Sequence, residues 1–314
     1  MNKNEFTEYL EGKGLAPRTQ KEYLSSAELF FAWAKKEDLQ VTKPDVLRYL
    51  EYLKNKGLQN ISRRNQLIAL NHYFSFLYQS EQITANPCLL LKIRGANKKT
   101  LFKIYTPEEL DVLFDNYYQL FVRGYDYSHQ KQEKQIQYLK LNRERNAVIL
   151  SVLANQGIIT REIKGIEMGD LDLTKATIKI RGEKRLNDRT LPLKASQMGL
   201  LINYLQNIRP QLTEYQTKES EKLFLPLPAK KYETTDYDIG RGVIGSLTTQ
   251  IKSIDKQFIN FQHVRASVIA YWIKTQGLRK AQHFAGHRNI STTERYLANN
   301  LDDLTDDINK LHPF

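Results

Sequence analysis

Residues 285–296 read Ala-Gly-His-Arg-Asn-Ile-Ser-Thr-Thr-Glu-Arg-Tyr. The run holds an imidazole, His287, and a phenol, Tyr296, nine residues apart across one short turn and helix. A phenol with an ordinary pKa of about 10 is a poor nucleophile at neutral pH. It becomes useful when a cation stabilises its oxyanion or a base takes its proton. The chain has 18 tyrosines, and most tyrosines pack or lie at surfaces, so Tyr296 alone singles out nothing. The whole string does: Gly286-His287, then Thr292-Thr293, then Tyr296.

The elements that must position such a site follow from the periodicity. Tyr23, Ala27, Phe30, Phe31 and Ala34 recur at helical spacing, after a turn marked by Gly14 and Pro17. Thr42-Lys43-Pro44-Asp45 predicts a capped helix start, with Val46, Leu47, Leu50 and Leu53 as its apolar face and Gly57 as its stop. A further helix carries Leu67, Leu70, Phe74 and Leu77, and Asn86-Pro87 closes this bundle. Residues 92–103 hold five basic residues and no acidic one, which suits a linker lying along a polyanion. Thr106-Pro107-Glu108-Glu109 is a full capping box that opens a second domain. Residues 124–144 are polar and charged and read as an exposed loop or helix extension, followed by an apolar helix from Asn146 to Asn155. Alternation over 176–181 and again over 189–193 predicts a β-hairpin. Helix returns from Gln197 to Ile208, an irregular stretch covers Pro226 to Gly245, and helix resumes from Gln262. The expected fold is mainly α with a small antiparallel sheet, divided into residues 1–92, a basic linker 93–105 and a second domain 106–314.

The chain of 314 residues suffices for two cores, and its net charge of +12 points toward a polyanionic partner. The binding of such a partner would be strongly salt-dependent. No run is apolar enough for a membrane helix, and the N-terminus lacks the apolar region of a signal peptide. The single cysteine, Cys88, has no internal partner. The location expected on these grounds is cytoplasmic.

The run from Gly286 to Tyr296 resembles the nucleophile segment of the tyrosine recombinase (phage integrase) family, and the resemblance extends from about residue 3 to Tyr296. Ala16-Pro17-Arg18-Thr19, Ser62-Arg63-Arg64 and Asn86-Pro87 resemble the family's N-terminal core-binding, SAM-like domain. Arg18, Lys21, Arg63 and Arg64 near helix starts, and Lys92, Arg94, Lys98 and Lys99 in the linker, are the expected DNA contacts. Each also fits an ordinary solvated basic face.

Breaking a phosphodiester with a tyrosine needs an in-line nucleophile, cations on the non-bridging oxygens and a proton for the leaving 5′-oxygen. Guanidinium groups suit the second task because they match phosphate in paired hydrogen bonds. By resemblance, Tyr296 is the nucleophile, His287 the family's second histidine and Arg265 the arginine of its His-x-x-Arg motif. The first His of that motif is replaced by Gln262, with His263 one residue away. Gln donates a hydrogen bond but carries no proton. Where the family has an arginine after a glycine turn, the alignment through Gly157, Glu162 and Ile163 puts Ile159. Arg161 is the nearest substitute, though two helical positions so spaced would face about 200° apart. Asn187 stands at the hairpin lysine, with Lys184 in the turn as a replacement general acid. A salt bridge to Glu162 or Glu167 is the structural alternative for Arg161, and a solvated turn for Lys184.

Beyond Tyr296, Leu297, Leu301, Leu304, Ile308 and Leu311 form one apolar stripe beside Asp302, Asp303, Asp306 and Asp307. It suits a helix packed on its own domain or, by family analogy, docked on a neighbouring protomer of a tetramer. The resemblance implies a C-shaped clamp on double-stranded DNA and site-specific recombination through a 3′-phosphotyrosyl link on Tyr296, without metal or other cofactor. Two alternatives share the fold or the chemistry: a DNA-binding regulator with weak or no catalysis, and a type IB topoisomerase-like enzyme.

Overall fold

The computed structural model describes residues 2–95, 104–182, 186–216, 218–227 and 239–297. The chain divides into two compact units, Met1–Thr100 and Leu101–Phe314.

The first unit is a four-helix bundle: α1 (Lys3–Gly12), α2 (Pro17–Ala34), α3 (Lys43–Asn55) and α4 (Asn60–Gln79). Pro17 starts α2 at a position where its missing N–H costs nothing. Aromatic rings meeting edge to face fill the interior, with Phe6 on Tyr73 at 4.9 Å and Phe30 on Tyr49 at 5.1 Å. The Tyr73 hydroxyl donates to Asp38 at 2.5 Å. The predicted cap of α3 forms: the Thr42 amide donates to Asp45 at 2.9 Å. Asp45 is buried, and it also accepts from the Thr42 hydroxyl at 2.7 Å, from Lys36 at 2.9 Å and from Arg48. Burial opposes its charge, but these donors outweigh burial and hold the carboxyl well below the usual range.

The second unit contains α5 (Pro107–Tyr118), α6 (Glu133–Gln156), α7 (Thr160–Ile163), β1 (Leu171–Asp172), β2 (Thr177–Ile180), β3 (Arg189–Pro192), α8 (Ala195–Asn203), α9 (Arg209–Thr213), α10 (Ile239–Ile254), α11 (Phe261–Gln276), α12 (Leu278–Ala285) and α13 (Ile290–Glu294). The strands form an antiparallel sheet in the order β1-β2-β3, with Ile178 opposite Leu191 and Ile180 opposite Arg189. Ile178 and Ile180 on β2, and Arg189 and Leu191 on β3, face the core. The alternation that fills the core thus also turns a guanidinium inward.

Three expectations change. The stretch 124–144 is exposed only in part. Helix begins at Glu133 and runs without a break into the apolar segment. Arg143 and Arg145 are buried in it, and Arg145 donates to Asn142, to Asn146 and to the Leu225 carbonyl at 2.7, 2.9 and 3.0 Å. Charge suggests solvent, whereas carbonyl and amide oxygens satisfy the Arg145 guanidinium inside. The irregular stretch to Gly245 ends early, because α10 starts at Ile239 and buries Val243, Leu247 and Ile251 at four-residue spacing. Strand β1, two residues long, was too short to leave an alternating pattern.

Replacing Asp45 with Ala removes both the cap of α3 and the acceptor for Lys36 and Arg48. We expect the first unit to lose about 1–3 kcal/mol, read as a lower urea midpoint in an unfolding curve followed by the aromatic signal of this unit.

Candidate active site

Arg265 lies one turn into α11 and is 3% exposed. The helix is capped by Asn260, whose side chain accepts from the His263 amide at 3.1 Å. This start fixes which way each neighbouring residue points. Gln262 faces the solvent side, while His263 turns inward and packs against the Tyr105 ring at 4.8 Å.

The Arg265 guanidinium donates to the Gly157 carbonyl and, at 2.7 Å, to the Ala285 carbonyl. Gly157 ends α6 and Ala285 is the last residue of α12. Carbonyls at a helix C-terminus lack partners within the helix and carry partial negative charge, so one arginine closes two helix ends. Gly157 adopts a φ of +52°, and a Cβ there would come within 2.9 Å of Val268. Both facts require glycine.

A second buried arginine braces the same turn. Arg189 on β3 meets Glu162 on α7 in two parallel bonds of 2.7 and 2.9 Å, with neither side chain exposed. It also donates to the Phe284 carbonyl at 2.9 Å. Glu162 accepts from the Ile159 amide at 2.9 Å, so it caps α7 while neutralising Arg189. The Asn187 amide donates to the Gly286 carbonyl at 2.8 Å, and Leu186 bridges to His287. Gly286 has a φ of +71°, and a Cβ on it would lie 2.9 Å from Arg189. The hairpin is thereby fastened to the turn that carries His287. Arg189 was not singled out from the sequence, although its phase with Leu191 on a half-buried strand was the signal that could have found it.

His287 is 5% exposed. Its Nδ1 lies 2.9 Å from the Thr293 hydroxyl and its Nε2 lies 3.1 Å from Arg265. The ring stacks on Tyr296 with centroids 5.6 Å apart and planes 14° from parallel. The Tyr296 amide donates to the Thr293 carbonyl at 3.0 Å, and its phenol interacts electrostatically with the Arg265 side chain. Burial, then the charges of Arg265 and Arg189, push the His287 pKa down to about 4. The ring is therefore neutral at neutral pH. Burial also lowers the Arg265 pKa, with Arg189 adding to it and Tyr296 and Glu162 opposing.

A cleft of about 410 Å³ opens beside Arg265, lined among others by Ile159, Arg161, Thr248, Asn260 and Gln262. Both Ile159 and Arg161 reach it. The expected opposition of about 200° holds only if both are helical, and Ile159 is extended, with φ −80° and ψ 148°. The structure thus places Arg265, Arg161 and Gln262 on one cleft, while His287 meets Arg265 and stacks on Tyr296 outside that lining. Lys184 lies outside the described residues, and the exposed Asn187 serves the site through its backbone.

In the first unit, Arg18 is exposed and pairs with Glu22 at 2.9 Å, and Lys21 is exposed. Arg63 donates to the Leu50 carbonyl at 3.2 Å and to Asn60 at 2.8 Å, which makes it a brace between α3 and α4 as well as a surface cation. Arg64 is half-buried, whereas Lys92 and Arg94 are exposed. Lys98, Lys99 and the apolar stripe from Leu301 onward lie outside the described residues.

The depressed His287 pKa carries a sign for stability. The unfolded chain takes up a proton at the ordinary value near 6.5, before the folded one does near 4. Folding is therefore weakened as pH falls through that window, by at most about 3 kcal/mol. His287→Asn is expected to flatten this part of a plot of unfolding free energy against pH between 7 and 4.5. Equal slopes in the two proteins would contradict it.

Comparison with known proteins matches the chain to a family. The phage integrase family model covers residues 128–302, and the model of the phage integrase N-terminal SAM-like domain covers residues 3–82. The tyrosine recombinase XerC of Natranaerobius thermophilus is 27% identical over 98% of this chain and 97% of that protein. The fold is similar to that of the XerH site-specific recombinase in a post-cleavage complex with palindromic difH substrate (TM-score 0.66, 19% identity, 91% of this chain and 77% of that one). It is also similar to the Tn1549 transposon integrase in complex with a circular intermediate DNA (TM-score 0.63, 16% identity, 94% of each chain). With its helical first unit, its three-stranded sheet and a family match over more than half its length, the chain belongs to the phage integrase family of tyrosine recombinases.

Proposed function

We propose that the protein is a site-specific recombinase that cleaves and rejoins duplex DNA through Tyr296. The observation that carries this reading is the convergence on Arg265. One guanidinium lies 3.1 Å from the ring of His287, interacts electrostatically with the phenol of Tyr296, and borders the cleft that Arg161 and Gln262 line.

In this reading a scissile phosphate occupies the cleft. Arg265 and Arg161 neutralise its non-bridging oxygens, and Gln262 adds a neutral donor. The tyrosine oxygen attacks phosphorus as the bond to the 5′-oxygen breaks, and Lys184 is assigned as the proton donor to that oxygen. The products are a 3′-phosphotyrosyl link and a free 5′-hydroxyl. Attack by a 5′-hydroxyl on the same link reverses the step, so the bond energy is kept and no nucleotide cofactor is consumed. Arg18, Lys21, Arg63, Arg64, Lys92, Arg94, Lys98 and Lys99 hold the duplex through its phosphates, giving affinity that falls steeply with salt. The residues after Tyr296 join protomers into a tetramer.

The replacements at Ile159, Asn187 and Gln262 favour a second reading, a regulator that binds DNA on this fold and cleaves weakly or not at all.

A nicked suicide duplex carrying the target site separates the two. The recombinase forms a covalent protein–DNA adduct that disappears in Tyr296→Phe, whereas specific binding with no adduct supports the regulator. In the same assay Arg161→Ala is expected to slow cleavage by about 10²- to 10³-fold, the effect of losing one donor at developing charge. An unchanged rate would remove Arg161 from the site.

A further inference from the structure

Thr293 is fully buried, and it touches both members of the stacked pair. Its hydroxyl lies 2.9 Å from His287 Nδ1, and its carbonyl accepts from the Tyr296 amide at 3.0 Å. The direction of the first bond follows from the other side of the ring. Arg265 has only donors to offer, and its Nη2 faces Nε2 at 3.1 Å. Nε2 must therefore present its lone pair, so the proton of the neutral ring sits on Nδ1 and is donated to the Thr293 oxygen. If the hydroxyl donated instead, both ring nitrogens would need lone pairs, a state that imidazole does not reach near neutral pH.

We infer that Thr293 is a positioning residue that fixes His287 in the Nδ1–H tautomer, leaving Nε2 as the acceptor for the phenol proton of Tyr296. This inference rests on the DNA-cleaving reading of the site. Gln262 cannot take a proton, and His263 is turned away against Tyr105, which leaves His287 as the imidazole beside the nucleophile. In the free protein one Arg265 N–H occupies Nε2. An anionic phosphate in the cleft competes for that N–H and releases the lone pair.

Transfer of the phenol proton to Nε2 leaves a tyrosinate and an imidazolium. The tyrosinate oxygen bonds to phosphorus as the bond to the 5′-oxygen breaks, and that oxygen takes its proton from Lys184. On rejoining, the 5′-hydroxyl returns its proton to Lys184 as its oxygen bonds to phosphorus, and the displaced tyrosine oxygen recovers its proton from the imidazolium. The imidazolium has two N–H groups, and Thr293 accepts one of them. Among the described residues, the charged or titratable groups facing the ring are Arg265 from α11, Arg189 from β3 with its partner Glu162 from α7, and Tyr296 after α13. Gln282 of α12 meets the His287 backbone and is neutral.

Two measurements on the full chain test the inference. The first is the pair of imidazole ¹⁵N shifts of His287 in the free protein at pH 7. They should show a protonated Nδ1 and a bare Nε2, and in Thr293→Val this tautomer should lose its dominance. The second is single-turnover cleavage of the nicked duplex. Thr293→Val should slow cleavage by about tenfold to hundredfold and Thr293→Ser by no more than about threefold, a part of the roughly 10²- to 10⁴-fold that a general base supplies. Losing the oxygen that supports the imidazolium should also move the acid limb of the pH profile to lower pH in Thr293→Val. An Nε2–H tautomer in the wild type, equal losses in the Val and Ser variants, or an unmoved acid limb would overturn it. If the wild type forms no adduct, the recombinase reading and the proton-acceptor role fail together, while the ¹⁵N shifts still decide the tautomer.

Discussion

The catalytic-type unit depends on one guanidinium closing two helices. Arg265 donates to the carbonyl that ends α6 and to the carbonyl that ends α12. Those helix ends lie 128 residues apart in sequence, from Gly157 to Ala285. Each supplies partial negative charge that offsets the cost of burying the arginine. The same side chain then meets His287 and Tyr296, so the groups that position the nucleophile are fixed by the bonds that end the helices. Removing it would leave two buried carbonyls without donors, and function and local stability cannot be separated at this residue.

The Arg189–Glu162 pair is the complement to this arrangement. A fully buried ion pair gains little net stability over apolar packing, because desolvation consumes much of the attraction. Its value here is geometric: it ties β3, the cap of α7 and the last turn of α12 into one unit. Glu162 places Ile159 and Arg161 on the cleft wall, and Arg189 presses against Gly286, where no side chain fits. Burial, reinforced by these positive charges, also accounts for a neutral His287 beside a nucleophile that must lose a proton.

Much of this was legible in the residues. The helical bundle, the capped entry to the second domain and the hairpin follow from apolar spacing and capping signals, and the structure is mainly helical with a small antiparallel sheet as those signals imply. Tyr296 and His287 stand out by type and spacing and Arg265 by resemblance to the family's His-x-x-Arg motif, and the structure brings the three side chains near one another. What the sequence concealed depended on partners distant along the chain. Arg189 and Arg145 carry charge that reads as surface until the Glu162 carboxylate and the Leu225 carbonyl are placed beside them. The relation of Ile159 to Arg161 turned on the backbone just before α7: the opposition of about 200° applies only to two helical positions, and Ile159 is extended. Side-chain direction decided between Gln262 and His263, and one capping bond from Asn260 sets it.

The central claim is that Arg265 and Arg161 hold the phosphate in line with Tyr296. It is tested most directly by a crystal structure of the protein with a nicked duplex and orthovanadate bridging the nick as a mimic of the pentavalent phosphorus. The account predicts vanadium bonded to the Tyr296 oxygen on one side and the 5′-oxygen on the other, with both guanidiniums donating to its equatorial oxygens. Vanadate bound with the Tyr296 oxygen out of line, or with Arg161 turned away from it, would contradict the account.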